Sequence, residues 1–177
     1  MALDRQPMWT FRGQVWPPFA LEPGAGQESV WDYPRPPRIE ADARRIEVKH
    51  AGKLIASATA NFRVLETASP PTYYVPQQAV DRALLRRMPG SSYCEWKGAA
   101  TYWALAGAES AIAVGWSYEN PLPAFVSIRG YLSFYPARVE CYVADERVTA
   151  QAGGFYGGWI TAAIVGPFKG DPGTAGW

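Results

Sequence analysis

The chain has 177 residues, of which 48% are hydrophobic and 19% are charged, and its formal net charge is +1. This balance is typical of a globular protein and argues against disorder, and against nucleic acid or an anionic membrane as the main partner. No apolar run reaches the roughly 18–20 residues of a membrane-spanning helix, and residues 1–12 lack the apolar stretch of a secretory signal, so we expect a cytoplasmic protein.

Aromatic residues make up 14% of the chain, beside 17 Gly and 16 Pro, a composition that favours short strands and tight turns. Residues 1–29 are expected to form an extended leader because prolines and glycines interrupt any periodicity. The leader also carries aromatic side chains, including Trp9, Phe11, Trp16 and Phe19. We therefore expect part of it to pack on the domain or on a second subunit.

Regular structure is predicted to begin near Arg45. Alternating apolar and polar residues predict strands over residues 46–49, 54–58, 62–66 and 72–75, with a hairpin turn over residues 50–53. One helix is predicted after Pro76, because Val80, Leu84 and Met88 recur at helical spacing before Pro89.

Further strands are predicted over residues 93–96, 99–105, 111–118, 130–135 and 139–144. The β domain would span residues 30–152. A glycine-rich arm would follow over residues 153–177 and contain one more strand over residues 159–165.

Several short motifs together are typical of one protein family. They are Trp31-Asp32-Tyr33-Pro34-Arg35-Pro36-Pro37, Arg63-Val64-Leu65-Glu66-Thr67, Tyr73-Tyr74-Val75-Pro76, Cys94-Glu95-Trp96-Lys97-Gly98, Trp116-Ser117-Tyr118-Glu119-Asn120-Pro121 and Gly153-Gly154-Phe155-Tyr156-Gly157-Gly158-Trp159. Over about residues 28–177 the chain resembles the bacterial "domain of unknown function 427" family, which carries a nucleotidyltransferase-like label.

The resemblance implies a mainly β, β-tent-like fold in which two small antiparallel sheets pack together, here with one short helix. Related β-tent families hold their sheets with zinc through paired Cys-x-x-Cys motifs. This sequence has no such motif, so we expect the fold without zinc.

The sequence offers few ligands for a metal and no recognisable phosphate-binding loop. A structural zinc site takes about four Cys or His ligands, whereas the chain has two Cys and one His. Residues 166–170 and 153–158 contain glycines but match neither the Walker nor the dinucleotide pattern. We therefore expect neither a metal nor a cofactor, and we interpret these glycines as positions of turns and close packing.

Two side chains are candidates for catalysis. Glu66 is a candidate general base if burial raises its pKa, and Cys94 is a candidate nucleophile if Lys97 converges on its thiol. A strand places residues i and i+3 on opposite faces, which argues against that convergence. The simpler interpretation is that Glu66 forms a structural ion pair or has a capping role near the Pro70-Pro71 turn, and that Cys94 is a small apolar residue.

Aromatic residues on successive strands predict a cleft. Trp116 and Tyr118 share one face of a strand, whereas Tyr102 and Trp103 point to opposite faces, so one of the latter would fill the core. With Arg63 and Lys97 as polar anchors, such a surface suits a flat or cationic ligand. The predicted ligand-binding residues are Arg63, Tyr74, Lys97, Tyr102, Trp103, Trp116 and Tyr118.

Three functions remain open from the sequence. The first is a module that binds a small molecule in this aromatic cleft. The second is an enzyme for a small anionic metabolite, using Glu66 or Cys94 with Arg63 or Lys97. The third is a structural or assembly protein, with a homodimer formed through the leader and the arm.

Overall fold

The structure is a computed structural model that describes residues 9–109 and 112–177. Its strands are β1 (Glu28–Ser29), β2 (Arg38–Asp42), β3 (Ile46–His50), β4 (Lys53–Ala58), β5 (Asn61–Leu65), β6 (Thr72–Tyr74), β7 (Leu85–Cys94), β8 (Gly98–Leu105), β9 (Gly115–Ser117), β10 (Leu132–Phe134), β11 (Glu140–Val143), β12 (Glu146–Arg147), β13 (Thr149–Ala150), β14 (Trp159–Ile160) and β15 (Ile164–Val165). The expected mainly β fold class is confirmed. Residues 1–8 of the predicted leader, and Ala111 of the predicted strand 111–118, lie outside the described residues.

The strands form several small sheets in place of the two expected. Two are four-stranded and antiparallel, in the orders β12-β11-β3-β4 and β10-β9-β8-β7, and a third is three-stranded, in the order β2-β5-β6. Main-chain hydrogen bonds of 2.8 and 2.9 Å between Val75 and Leu132 join the end of β6 to the start of β10. This junction brings the three-stranded sheet against the β10-β9-β8-β7 sheet.

The β3–β4 hairpin forms where the sequence predicts it. Ile46 and Val48 are fully buried, and the residues between and after them are partly exposed, as the alternating pattern requires. Ala51 and Gly52 both have positive φ, at 48° and 76°, which suits a two-residue turn between His50 and Lys53.

The predicted helix over residues 76–88 is wrong. The chain forms 3-10 turns at Gln77–Ala79 and Arg82–Leu84 and then enters β7. Asp81 caps the second turn by accepting a hydrogen bond from the Ala83 amide, and Leu85 already pairs with Leu105 of β8. The apolar residues recur at a helix-like spacing because the turns bury Val80 and the strand buries Leu85, both in the core.

The leader and the arm pack on each other within one chain. β1 pairs with β15 in parallel, and the Thr10 amide donates to the Gly176 carbonyl at 2.8 Å. Phe19 of the leader stacks on Trp177 of the arm, with ring centroids 4.9 Å apart. The predicted strand 159–165 is interrupted by a turn and forms β14 and β15. A homodimer through these segments stays a prediction.

Among the described residues, no helix has the length and apolar character needed to cross a membrane.

Candidate functional site

A cavity of about 430 Å³ opens between the three-stranded sheet, the β10-β9-β8-β7 sheet and the arm. Its walls come from β5 and β6, from the β7–β8 hairpin, from Trp116 of β9, from Gln151, and from residues 155–157 and 169 of the arm. The volume lies within the range of pockets that bind small molecules.

Seven of the nine residues singled out in the sequence line this cavity. They are Glu66, Tyr74, Cys94, Lys97, Tyr102, Trp116 and Tyr118. They come from β6, β7, β8, β9 and the connecting segments, so the sheet junction brings together side chains that are up to 52 positions apart. Their role in binding stays a prediction.

Arg63 does not line the cavity, which corrects its expected placement beside the aromatic residues. The neighbouring Val64 faces the cavity, and consecutive residues of a strand point to opposite faces. Arg63 instead lies in a separate depression, where it pairs with Glu28 and with Glu40, the latter at 2.8 Å. Its charge is therefore already neutralised within the fold.

Trp103 is also placed away from the cavity. It is 7% exposed, belongs to the main hydrophobic core, and donates from Nε1 to Ser117 Oγ at 2.9 Å. Its neighbour Tyr102 lines the cavity, so the alternation of the strand divides the pair as predicted, and Trp103 is the member that fills the core.

The aromatic wall is held by contacts among its own rings. Trp116 donates from Nε1 to the Tyr74 hydroxyl at 3.2 Å and packs on Tyr135 with centroids 4.6 Å apart. Burial raises the pKa of Tyr74 and Tyr118, and raises that of Tyr135 to about 12. These phenols therefore stay neutral near pH 7 and keep a proton that each hydroxyl can donate.

Gly157 lets the arm close over this wall. A Cβ atom at this position would lie 2.3 Å from the Trp116 ring, closer than any side chain allows. The glycine-rich motif is thus explained here by close packing, as the sequence interpretation proposed.

Lys97 and Cys94 do converge, contrary to the argument from strand geometry. Cys94 is the last residue of β7, and the chain turns before β8 begins at Gly98, so the alternation of a strand no longer applies to Lys97. The Lys97 ammonium lies close enough to Cys94 for the sulfur to raise the pKa of the lysine, and it lies 5.9 Å from the Tyr118 ring centroid.

The ammonium of Lys97 carries its charge at neutral pH. Burial alone would lower its pKa, but Tyr74, Cys94 and the Glu66 carboxylate raise it, and the net pKa lies above its usual value. No carboxylate oxygen of the described residues lies within 4.0 Å of this ammonium, so its charge faces the cavity without an ion-pair partner.

Glu66 is engaged in a structural ion pair, as the simpler interpretation expected. Its Oε1 accepts from Arg35 Nε at 3.1 Å, and the Arg35 side chain is completely buried. Arg35 also donates to the carbonyls of Phe11, Thr67 and Trp177 at 2.7–3.0 Å. Arg35 thereby links the leader, the sheet and the arm behind the cavity.

Sequence reasoning missed Lys169, which lines the cavity from the arm. It is 3% exposed, its Nζ lies 3.7 Å from the Trp9 ring centroid, and it donates to the Trp177 carbonyl at 3.4 Å. Burial, aided by the nearby Arg35 charge, lowers the pKa of Lys169 to about 8. Lys169 lies in a glycine-rich segment that does not match the Walker pattern, and no sequence pattern indicates its burial inside the fold.

Across residues 9–109 and 112–177, no three His, Cys, Asp or Glu side chains are grouped so as to hold a metal ion. A family model described as "Domain of unknown function (DUF427)" matches residues 38–145 and confirms the resemblance drawn from the motifs. No curated protein matches the chain.

Proposed function

The chain belongs to the family described as domain of unknown function (DUF427), and we propose that its cavity binds a small molecule that combines a flat ring with an anionic group. The observation that carries this proposal is the Lys97 ammonium, which faces an aromatic cavity with no carboxylate partner among the described residues.

The walls and the charge support complementary parts of such a ligand. Trp116 and Tyr118 offer ring surface and Tyr118 a neutral hydroxyl donor, which suit a flat ring with polar substituents, while the fully buried Tyr74 supports Trp116 from behind. A half-buried ammonium gains most from an anionic partner, because a charge-assisted hydrogen bond is stronger where water is displaced. A volume of about 430 Å³ suits a molecule of metabolite size.

Tryptophan fluorescence tests the proposal with matched probes. Nicotinate and nicotinamide have nearly the same shape and differ in charge, and succinate supplies the charge without the ring. We expect nicotinate to quench fluorescence at lower concentration than nicotinamide, and succinate to have no effect. In Trp116→Phe most of the ligand-dependent change should disappear, whereas Trp103→Phe, which alters an indole outside the cavity, should retain it. Equal responses to all three probes, or an unchanged response in Trp116→Phe, would contradict the proposal.

A second candidate, an enzyme with a Cys94 nucleophile, is favoured by one contact. The Lys97 ammonium, whose charge lies near the Cys94 sulfur, would stabilise a thiolate at the cavity wall. Glu66 is a weaker candidate, because its carboxylate is already bound by Arg35.

Alkylation by iodoacetamide distinguishes the two candidates. Cys141 is 1% exposed and burial raises the pKa of its thiol, so it serves as an unreactive internal control. A nucleophilic Cys94 would react rapidly at pH 7 and lose that reactivity in Lys97→Met. A Cys94 that reacts at the same rate at pH 7 in the unmutated chain and in Lys97→Met would support the binding module alone.

A further inference from the structure

The cavity contains two of the four lysines of the chain, and their surroundings differ. Lys97 lies near Cys94, Tyr74 and Tyr118, and its amine remains charged. Lys169 lies against rings and the Trp177 main-chain oxygen, is almost fully buried, and has no Asp or Glu carboxylate oxygen within 4.0 Å among the described residues. The two amines are therefore suited to different tasks.

The main chain around Lys169 is fixed, so its amine is held in the cavity wall. The Lys169 amide donates to the Ala68 carbonyl at 2.8 Å, and the Lys169 carbonyl accepts from Gln151 Nε2 at 2.6 Å. The Lys169 Nζ lies 3.7 Å from the ring centroid of Trp9 and 5.7 Å from that of Tyr156. An amine held in such a low-polarity environment is a better nucleophile than a hydrated one, because a larger fraction is unprotonated.

The charged groups around Lys169 act in both directions. Arg35 lowers its pKa together with burial, whereas the carboxylates of Glu66 and Glu95 raise it, and the net value is about 8. The guanidinium donors of Arg35 are bonded to Glu66 and to three carbonyls. Arg35 therefore does not compete with Lys169 for a ligand.

We propose that Lys169 forms a reversible imine with an aldehyde or ketone bound in the cavity. This assignment rests on the proposed function, since it names the ligand class of the same site. The Lys169 Nζ lone pair attacks the carbonyl carbon, and the π electrons of the C=O bond move to oxygen as the C–N bond forms. A proton passes from nitrogen to that oxygen, and loss of water leaves the C=N bond. No oxidant, reductant or further reactant is needed.

The second amine restricts the ligand further. Lys97 stays protonated and anchors a carboxylate or phosphate, while the aromatic wall holds a planar body. The ligand class is therefore a planar aldehyde or ketone that bears an anionic group.

Reductive trapping tests this assignment on the full chain. The protein is incubated with 4-carboxybenzaldehyde and sodium cyanoborohydride, and the adduct is located by intact mass and peptide mapping. The matched ligand 4-(hydroxymethyl)benzoate has the same ring and charge but no carbonyl. We expect one adduct, at Lys169, formed at least tenfold faster than at Lys49 or Lys53. Lys169→Arg should lose it, and Lys53→Arg should retain it.

Fluorescence titration with the same two ligands separates the possible failures. If both quench fluorescence but no adduct forms, or if the adducts distribute over Lys49 and Lys53, the imine is overturned while the binding proposal stands. If neither ligand changes the fluorescence, the binding proposal fails and the imine with it. The map of adducts on the unmutated protein decides the matter even if Lys169→Arg fails to fold.

Discussion

Two regions of this molecule concentrate charged side chains beside a concave surface of similar volume, about 400 Å³ at Arg63 and about 430 Å³ at the aromatic cavity. In the first, Arg63 pairs with Glu28 and Glu40, and Arg44 pairs with Asp42. In the second, Lys97 and Lys169 line the space, and among the described residues no Asp or Glu carboxylate oxygen lies within 4.0 Å of either ammonium. The concavity is alike, but only the second region leaves charge for a ligand.

Whether the charged side chains are ion-paired distinguishes the two regions better than the types of residue do. A buried charge without a partner is costly, so a fold that retains one gains most when a ligand supplies the partner. The Arg63 network, by contrast, is satisfied internally and extends to the hydroxyls of Tyr33 and Tyr73, which bond Glu28 and Arg44. We therefore assign stability to the Arg63 network, and ligand binding in the cavity stays our proposal.

The largest expected effect is the loss of stability in Arg63→Met. Removing the arginine leaves Glu28 and Glu40 close together without their shared cation, which should lower the free energy of unfolding by about 3 kcal/mol. Urea unfolding measures this. Arg38→Met is the matched control, because Arg38 also pairs with Glu40 but its side chain is 52% exposed, and it should lose at most about 0.5 kcal/mol. Equal losses in both variants would remove the distinction between the regions.

Lys97→Met should weaken ligand binding and leave stability nearly unchanged, the opposite of Arg63→Met. Loss of one charge-assisted hydrogen bond should weaken nicotinate binding by about 2 kcal/mol, a roughly thirtyfold increase in Kd. The stability of the fold should change by less than about 1 kcal/mol, because no ion pair is broken. Fluorescence titration and urea unfolding measure the two quantities, and Lys53→Met, at an exposed hairpin position, should change neither. Unchanged nicotinate affinity in Lys97→Met would show that the cavity charge is not used.

The neutral phenols of the cavity predict a dependence on alkaline pH. Burial raises the pKa of Tyr118 in the folded state above its unfolded value near 10, so its contribution to stability is complete below pH 10 and is lost as the pH rises. Between pH 10 and pH 11 the unfolding free energy of the unmutated chain should fall about 1 kcal/mol more than that of Tyr118→Phe. Parallel urea titrations at the two pH values measure the difference. Identical slopes would mean that Tyr118 is hydrated, and the aromatic wall would then be open to water.

The smallest effect is expected for Cys94→Ala. In a binding module this residue contributes a small apolar side chain, so stability should change by less than about 0.5 kcal/mol and the Kd for nicotinate by less than about threefold. Thermal unfolding and the same titration measure both. If Cys94→Ala abolished nicotinate binding, or abolished a reaction that the unmutated chain performs, Cys94 and not Lys97 would be the central residue of the site.

Much of the fold could be predicted because these strands and turns follow the local sequence patterns of β structure. The β3–β4 hairpin has alternating burial and positive φ where the pattern requires them, and β8 forms where the apolar run predicts it. The predicted helix is wrong because apolar residues four positions apart are not unique to helices. Two 3-10 turns followed by a strand produce the same spacing when their apolar side chains pack against one core. Sequence spacing cannot separate these cases without knowing that Leu85 pairs with Leu105.

The residues that line the cavity could also be predicted only in part. Tyr102 and Trp103 were divided correctly by strand alternation, although the sequence could not say which of them faced the cavity. Arg63 was misplaced because the partner strands that supply Glu28 and Glu40 are distant in the chain. Lys169 was missed because its burial depends on the leader and the arm packing together, a long-range contact with no periodic signature.

A crystal structure of the protein soaked with nicotinate tests the central claim most directly. We predict ligand density in the aromatic cavity, with the ring against Trp116 and a carboxylate oxygen about 2.7–2.9 Å from Lys97 Nζ. Density at the Arg63 depression alone, or only ordered water in the cavity at a saturating concentration of the ligand, would contradict the claim that unpaired cavity charge marks the binding site.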